Sequence, residues 1–260
     1  MTAGTISRER RGHVFVMGFD RAAKRNSFDL PMWDALCDAY AELERDPALR
    51  VGVVHAHGDH FTGGLDLPQW GATFSSGSWH IKDGGLDPLG LHGTRVTKPI
   101  VVAIQGTCLT IGIELALACD IRIAARTARF GQIEVKRGIY PVGGATLRFP
   151  REVGWGNAMR WLLTGDEFDA TEALRIGLVQ EVVDAGEQLP RALAIADVIA
   201  AQAPLGVYAT LASSRAAIPA AEVAAGARLM PDLKPIMESA DVQEGLRAFM
   251  QRRPGTFGGT

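Results

Sequence analysis

The chain has 260 residues, 47% hydrophobic and 22% charged, enough for one main domain with a substantial core. A net charge of −2, with basic residues in no run longer than Arg8 to Arg11 and otherwise single or in pairs such as Arg252–Arg253, excludes a disordered polyelectrolyte and a nucleic-acid-binding field. The three cysteines Cys37, Cys108 and Cys119 are too few and odd in number for a secreted disulfide framework, and we expect neither signal peptide nor membrane span, hence a cytoplasmic protein.

HVFVMGF at 13–19 alternates as a half-buried strand does. DRAAKRNSF then breaks the pattern, and LPMWDALCDAYAELERD reads as a helix with Pro31 in its first turn. RVGVVHAHG at 50–58 is a buried strand. Between Asp66 and Lys98 the density of Gly and Ser predicts a long irregular loop, residues 68–97, of the kind that forms functional lids. PIVVAIQG at 99–106 is a second buried strand, followed by the helical IELALAC and the strand DIRIAA at 120–125. This β/α alternation implies parallel pairing. Beyond about residue 142 the period is helical, broken only by the strand-like LVQEVV at 178–183 and by Pro190, Pro204, Pro219, Pro231 and Pro235. The organisation expected is a core over 1–195 that carries the site and a helical region over 196–260.

His55-Ala-His57-Gly-Asp59-His60 resembles the HxHxDH string of the metallo-β-lactamase superfamily. That chemistry needs further ligands downstream, and only His80 and His92 follow, both in the Gly-rich segment. No metal is assigned. FTGGLD at 61–66 follows a strand at once, and Gly63 and Gly64 let a ligand approach main-chain N–H groups. QGTCLTIGIELALACD at 105–120 places a second tight turn before a helix, so the N–H of Ile111 or Gly112 projects from a positive helix end. Two such turns can form an oxyanion hole.

Glu114 stands in the first turn of that apolar helix, where the plain reading is a glutamate that stabilises the helix dipole. Glu134, between Ile133 and Val135, has as its plain reading a strand-edge acid paired to Lys136 or Arg137. Two carboxylates in apolar surroundings, each beside a Gly-rich turn, suit general acid/base work instead, because burial raises a carboxyl pKa.

Together these segments resemble the crotonase (enoyl-CoA hydratase/isomerase) superfamily over nearly the whole chain. Phe61-Thr62-Gly63-Gly64-Leu65-Asp66-Leu67 is similar to its first oxyanion motif, and Lys98-Pro99 through Gly106, Glu114-Leu115 and Cys119-Asp120 to its second. LTGDEFDATEALRIGLVQEVV at 163–183 and EGLRAFMQRRPGTF at 244–257 match later segments. The resemblance implies an α/β spiral of ββα repeats whose C-terminal helices drive trimers and hexamers. It also implies an acyl-CoA thioester substrate with no separate cofactor. Glu114 and Glu134 fall on the catalytic pair, and the Leu65 and Ile111 N–H groups on the oxyanion donors. For CoA it implies Lys24 and Arg25 near the phosphates, Gly63, Leu65 and Asp66 along the first motif, and Phe249 with Arg253, candidates for loan by a neighbouring subunit. Thr110-Ile111-Gly112 departs from the usual triple glycine, and Tyr140 to Thr146 from the usual I-P-G-A-G-G-T. Hydration of a 2-enoyl-CoA is the activity expected. The alternatives are double-bond isomerisation, acyl-CoA binding without turnover and, outside the family, a zinc hydrolase.

Overall fold

The computed structural model describes residues 3–217 and 220–258, so Pro219 lies outside the described residues. A hairpin opens the chain, with β1 (Thr5–Arg11) antiparallel to β2 (Val14–Asp20). β1 is absent from the sequence reading because its charged run hides any alternation. It is a sheet edge, and its arginines reach acids on and just after helix α1 (Leu30–Arg45), Arg8 to Glu42 and Arg10 to Asp46. Charge on an edge strand is a common guard against further pairing. Asp29 caps α1 by accepting the Met32 N–H at 2.9 Å, with Pro31 in the first turn, and Met32, Trp33, Leu36, Tyr40 and Leu43 form its buried stripe.

Parallel pairing then runs β2 to β3 (Val51–Ala56), β3 to β4 (Ile100–Ile104), β4 to β6 (Ile121–Ala125) and β6 to β9 (Glu181–Val183), as the alternation of elements implies. β2, β3, β4 and β6 are buried on both faces. Val14 and Val16 pack with Ala192, Ala196 and Ala200 of helix α7 (Gln188–Ala200), whereas Phe15, Met17 and Phe19 enter the larger core beside α1. Lys98 donates to the carbonyls of Leu43 and Asp46 at 2.7 and 2.6 Å, tying the end of α1 to the start of β4.

A second, three-stranded sheet is made of β5 (Thr107–Leu109), β7 (Arg129–Gly131) and β8 (Glu167–Asp169). Three-residue strands are too short to show a period, so the sequence does not disclose them. The segment expected as an irregular loop is likewise partly ordered. It contains helix α2 (Leu67–Ser76), which starts with Pro68 and buries Trp70 and Phe74 at i, i+4 spacing. The Trp70 indole donates to the Phe28 carbonyl at 3.0 Å, and this tertiary anchor offsets the weak propensity of the Gly/Ser-rich sequence.

The C-terminal part is helical as expected: α4 (Ala145–Val153), α5 (Trp155–Thr164), α6 (Ala170–Arg175), α8 (Pro204–Ala216), α9 (Ala220–Met237) and α10 (Ala240–Met250). α9 packs on α2 and α4, and α10 on the turn Glu134–Arg137, so the helical region folds over the cleft of its own chain. Among the described residues no single helix is long and apolar enough to cross a membrane.

Candidate active site

A cleft of about 550 Å³ brings Leu65, Ile111, Glu114 and Glu134 onto one lining, with Thr110, Tyr140 and Phe249 around them. Two turns build its floor. The Thr62 N–H donates to the Thr107 carbonyl at 2.9 Å and the Leu109 N–H returns to the Thr62 carbonyl at 3.1 Å, so the turns after β3 and before α3 (Ile111–Ala118) are laced together. Phe28 N–H donates to the Gly64 carbonyl and accepts, at its own carbonyl, the Asp66 N–H, at 2.9 and 2.8 Å. In a parallel bridge the intervening residue points its N–H the other way, and that residue is Leu65. Ile111 is the first residue of α3, where N–H groups have no intrahelical acceptor. Among the described residues, neither the Leu65 nor the Ile111 N–H donates to a protein acceptor.

The glycine at 64 is dictated by the contact between the turns. Its φ is +109°, and a Cβ there would lie 2.5 Å from Thr110 Oγ1. Thr110 itself holds φ 51°, ψ −115°, a region that side chains with a Cβ rarely occupy and that costs about 1–3 kcal/mol. Strain of this kind, adjacent to the Ile111 N–H, is the structural consequence of lacking the first glycine of the usual triple.

Glu114 is buried, 3% exposed, and does not cap its own helix. Its Oε1 accepts the N–H of Gly143 at 2.7 Å and of Ala145 at 3.1 Å. Gly143 allows this approach, since a Cβ would stand 2.5 Å from Glu114 Oε2. Burial pushes the Glu114 carboxyl up to about 7, held back by those two N–H groups and by the charge of Arg148. Glu134 is 6% exposed and begins a 3-10 turn, not a strand edge, while Lys136 pairs instead with Asp166 at 3.4 Å. Burial first, and the neighbouring Glu114 second, raise the Glu134 carboxyl well above the ordinary range. With its amide oriented by the network, Gln132 donates to Glu134 Oε2 and Oε1 at 2.9 and 2.7 Å. Burial and the mutual repulsion of the two carboxylates thus oppose charging both at once, so the pair can both hold and accept a proton.

The residues expected around CoA divide. Lys24, Gly63, Leu65, Asp66 and Phe249 line the cleft, whereas Arg25 and Arg253 are not among its lining residues. The Gly63 N–H is engaged by the Arg25 carbonyl at 2.8 Å, which leaves Leu65 as the donor of this turn. Asp66 accepts from Arg21 at 2.8 Å and so anchors the turn to the segment that follows β2. Phe249 lines the cleft of its own chain, under the Arg137 guanidinium at 4.5 Å from the ring centroid, and needs no loan from a neighbour to do so. Arg253 pairs with Glu244 at 2.6 Å. Three residues escaped the sequence reading as parts of the site: Gln132, Arg137 and Tyr140. Gln132 stands two residues before Glu134 in Phe130-Gly131-Gln132-Ile133-Glu134; Tyr140 gives no local signal, since its place depends on its hydroxyl donating to the Leu229 carbonyl of α9 at 2.6 Å.

The His-rich string has other uses. His57 Nε2 faces Ser7 Oγ at 2.7 Å, and His60 Nδ1 accepts the Thr107 N–H at 3.1 Å. Among the described residues no group of three His, Cys, Asp or Glu side chains is arranged to hold a metal ion.

Residues 9–260 match the family model described as Enoyl-CoA hydratase/isomerase. The chain is 35% identical over 263 residues to enoyl-CoA hydratase EchA19 of Mycobacterium tuberculosis, covering 96% of this chain and 94% of that protein. Among solved structures it is similar to a probable enoyl-CoA hydratase/isomerase from Mycobacterium abscessus, at 49% identity and TM-score 0.81, with 98% of this chain and 99% of that one covered. Carnitinyl-CoA hydratase from Mycobacterium avium superposes with TM-score 0.88 at 33% identity, with both chains fully covered.

Proposed function

This chain belongs to the enoyl-CoA hydratase/isomerase family, and from that premise we propose that it is an enoyl-CoA hydratase, a hydro-lyase adding water syn across the 2,3 double bond of a 2-enoyl-CoA thioester. The observation that carries this reading is the presence on one cleft of two buried carboxyl groups, both raised by burial, and two N–H groups without protein acceptors. In this scheme the thioester oxygen accepts from the Leu65 and Ile111 N–H groups, each contributing about 3 kcal/mol to the stability of the enolate. Ionised Glu114 takes a proton from the water whose oxygen bonds to C3. Protonated Glu134 delivers its proton to C2 as the enolate collapses, leaving Glu114 protonated and Glu134 ionised, and one proton passes from Glu114 to Glu134 by way of solvent after product release to restore the starting state. No separate cofactor is required, because the bound thioester already acidifies C2 and CoA arrives with the substrate. Retention of both carboxyls in the cleft favours hydration over isomerisation, which needs one proton shuttle and no water.

Lys24 at the rim, with Arg137 and Phe249 of the same chain, supports a CoA path along that side. Three free, buried thiols, each pushed up by burial to about 12 or beyond, support a reducing cytoplasm. The test is the loss of enone-thioester absorbance with a panel of 2-enoyl-CoAs. Glu114→Gln and Glu134→Gln should each lower kcat by about 10²–10⁴-fold with acyl-CoA binding retained. Equal activity in all three proteins would sink the reading.

A further inference from the structure

Thr110 lines the cleft where the two turns meet, and its side chain has no part in the scheme above. Its backbone is pinned on both sides. The Thr110 N–H donates to the Gly131 carbonyl at 2.9 Å, and the Thr110 carbonyl accepts the Ile113 and Glu114 N–H groups at 3.0 and 3.3 Å. Those bonds hold the left-handed φ of 51° in place and fix the direction of the next peptide. In a trans peptide the N–H points away from the C=O, so the Ile111 N–H is turned out of α3 while the Thr110 carbonyl is turned into it. The side chain is turned towards the other donor. From the place that a Gly64 Cβ would occupy, Thr110 Oγ1 is 2.5 Å away and the methyl Cγ2 3.9 Å. The hydroxyl, not the methyl, thus stands over Gly64, the residue bonded to the Leu65 nitrogen, while Thr110 is itself bonded to the Ile111 nitrogen. Among the described residues this hydroxyl has no hydrogen-bond partner. A β-branched side chain is stiff at χ1, so a bound group meets a donor already held between the two N–H groups.

We propose that the Thr110 hydroxyl is a third donor to the thioester oxygen, so that the oxyanion hole consists of the Leu65 and Ile111 N–H groups and one side-chain O–H. This rests on the reading of the cleft as an acyl-CoA site and not on hydration. A donor to that oxygen gains strength as the carbonyl becomes an enolate, because a hydrogen bond to a charged acceptor is about twice as strong as one to a neutral acceptor. Removal of the hydroxyl therefore lowers kcat more than it weakens binding.

Three variants of the full-length protein separate the hydroxyl from the bulk of the side chain. Thr110→Val and Thr110→Ala lack it, Thr110→Ser keeps it, and thermal melts establish which variants fold; either hydroxyl-free variant suffices. Calorimetric titration compares hexanoyl-CoA with hexyl-CoA, the thioether that has no carbonyl oxygen. Thr110→Val and Thr110→Ala should weaken hexanoyl-CoA about 2–10-fold and leave hexyl-CoA unchanged, while Thr110→Ser matches wild type. With 2-enoyl-CoAs, kcat/KM should fall about 10–100-fold in the two hydroxyl-free variants and recover in Thr110→Ser. Equal weakening of both ligands, a loss that Thr110→Ser shares, or failure of both hydroxyl-free variants to fold makes Thr110 a structural residue and overturns the proposal, as does wild-type behaviour in all three. If carbonyl-dependent binding follows the hydroxyl while no enoyl-CoA is hydrated, hydration fails and the third donor stands. If wild type binds neither ligand, the acyl-CoA reading falls and the proposal with it.

Discussion

Glu114 and Glu134 share an apolar site, yet their partners differ, and the difference sets their roles. Glu114 accepts two main-chain N–H groups and feels Arg148, which favour its charge; Glu134 has the Gln132 amide and faces the Glu114 charge. Activity in the proposed scheme requires Glu114 ionised and Glu134 protonated. The profile of kcat/KM against pH should thus be a bell whose acid limb lies near 7, with the alkaline limb set by Glu134. An acid limb in the ordinary carboxylate range would contradict the assignment. Stability has the opposite sign. A carboxyl raised on folding binds its proton more tightly in the native state, so its contribution falls as pH rises from 4.5 towards about 7 and is constant above. Glu114→Gln keeps an acceptor for Gly143 and removes this burden. Its melting temperature should exceed wild type at about pH 8 and the gap should close below about pH 4; a gap independent of pH would point to packing instead.

At the scale of elements, the site depends on two turns pressed together. Gly64→Ala places a methyl against Thr110 and requires an L residue at φ +109°. It should cost more than about 1 kcal/mol of stability and, by moving Leu65, lower kcat far more than it raises KM. Thr110→Gly relieves backbone strain at φ 51° while loosening the unfolded chain, so a net stabilisation of up to about 1 kcal/mol is expected from denaturant titration. A destabilisation of that size would show that the Thr110 side chain contributes more through its contact with Gly64 than its backbone strain costs.

The whole molecule leaves large apolar side chains in water: Trp155 and Leu163 on α5, and Leu205 on α8, are 72%, 70% and 82% exposed. Exposed residues of this size commonly mark an interface, which supports the proposal that the helical region assembles trimers that pair into hexamers. Sedimentation should find three or six chains per particle, and Leu205→Glu should shift the population towards single chains. A wild-type monomer at high concentration would refute the assembly. The fold of α10 over its own cleft, with Phe249 in the lining, means that a dissociated chain keeps this wall of the site.

The strands β2, β3, β4 and β6, helix α1, and the four residues Leu65, Ile111, Glu114 and Glu134 that one cleft brings together were legible in the sequence. Each rests on local chemistry: continuous apolar runs for strands buried on both faces, Asp29 and Pro31 at a helix start, glycines where a side chain would collide, and acids in apolar strings. Tertiary structure alone decided the rest. The order of α2 comes from Trp70 reaching Phe28, β5, β7 and β8 exist only by pairing with one another, and Tyr140 acquires its place from Leu229, far away in sequence. A sequence encodes propensity and period within one segment. Which donor meets which acceptor across segments is set by packing.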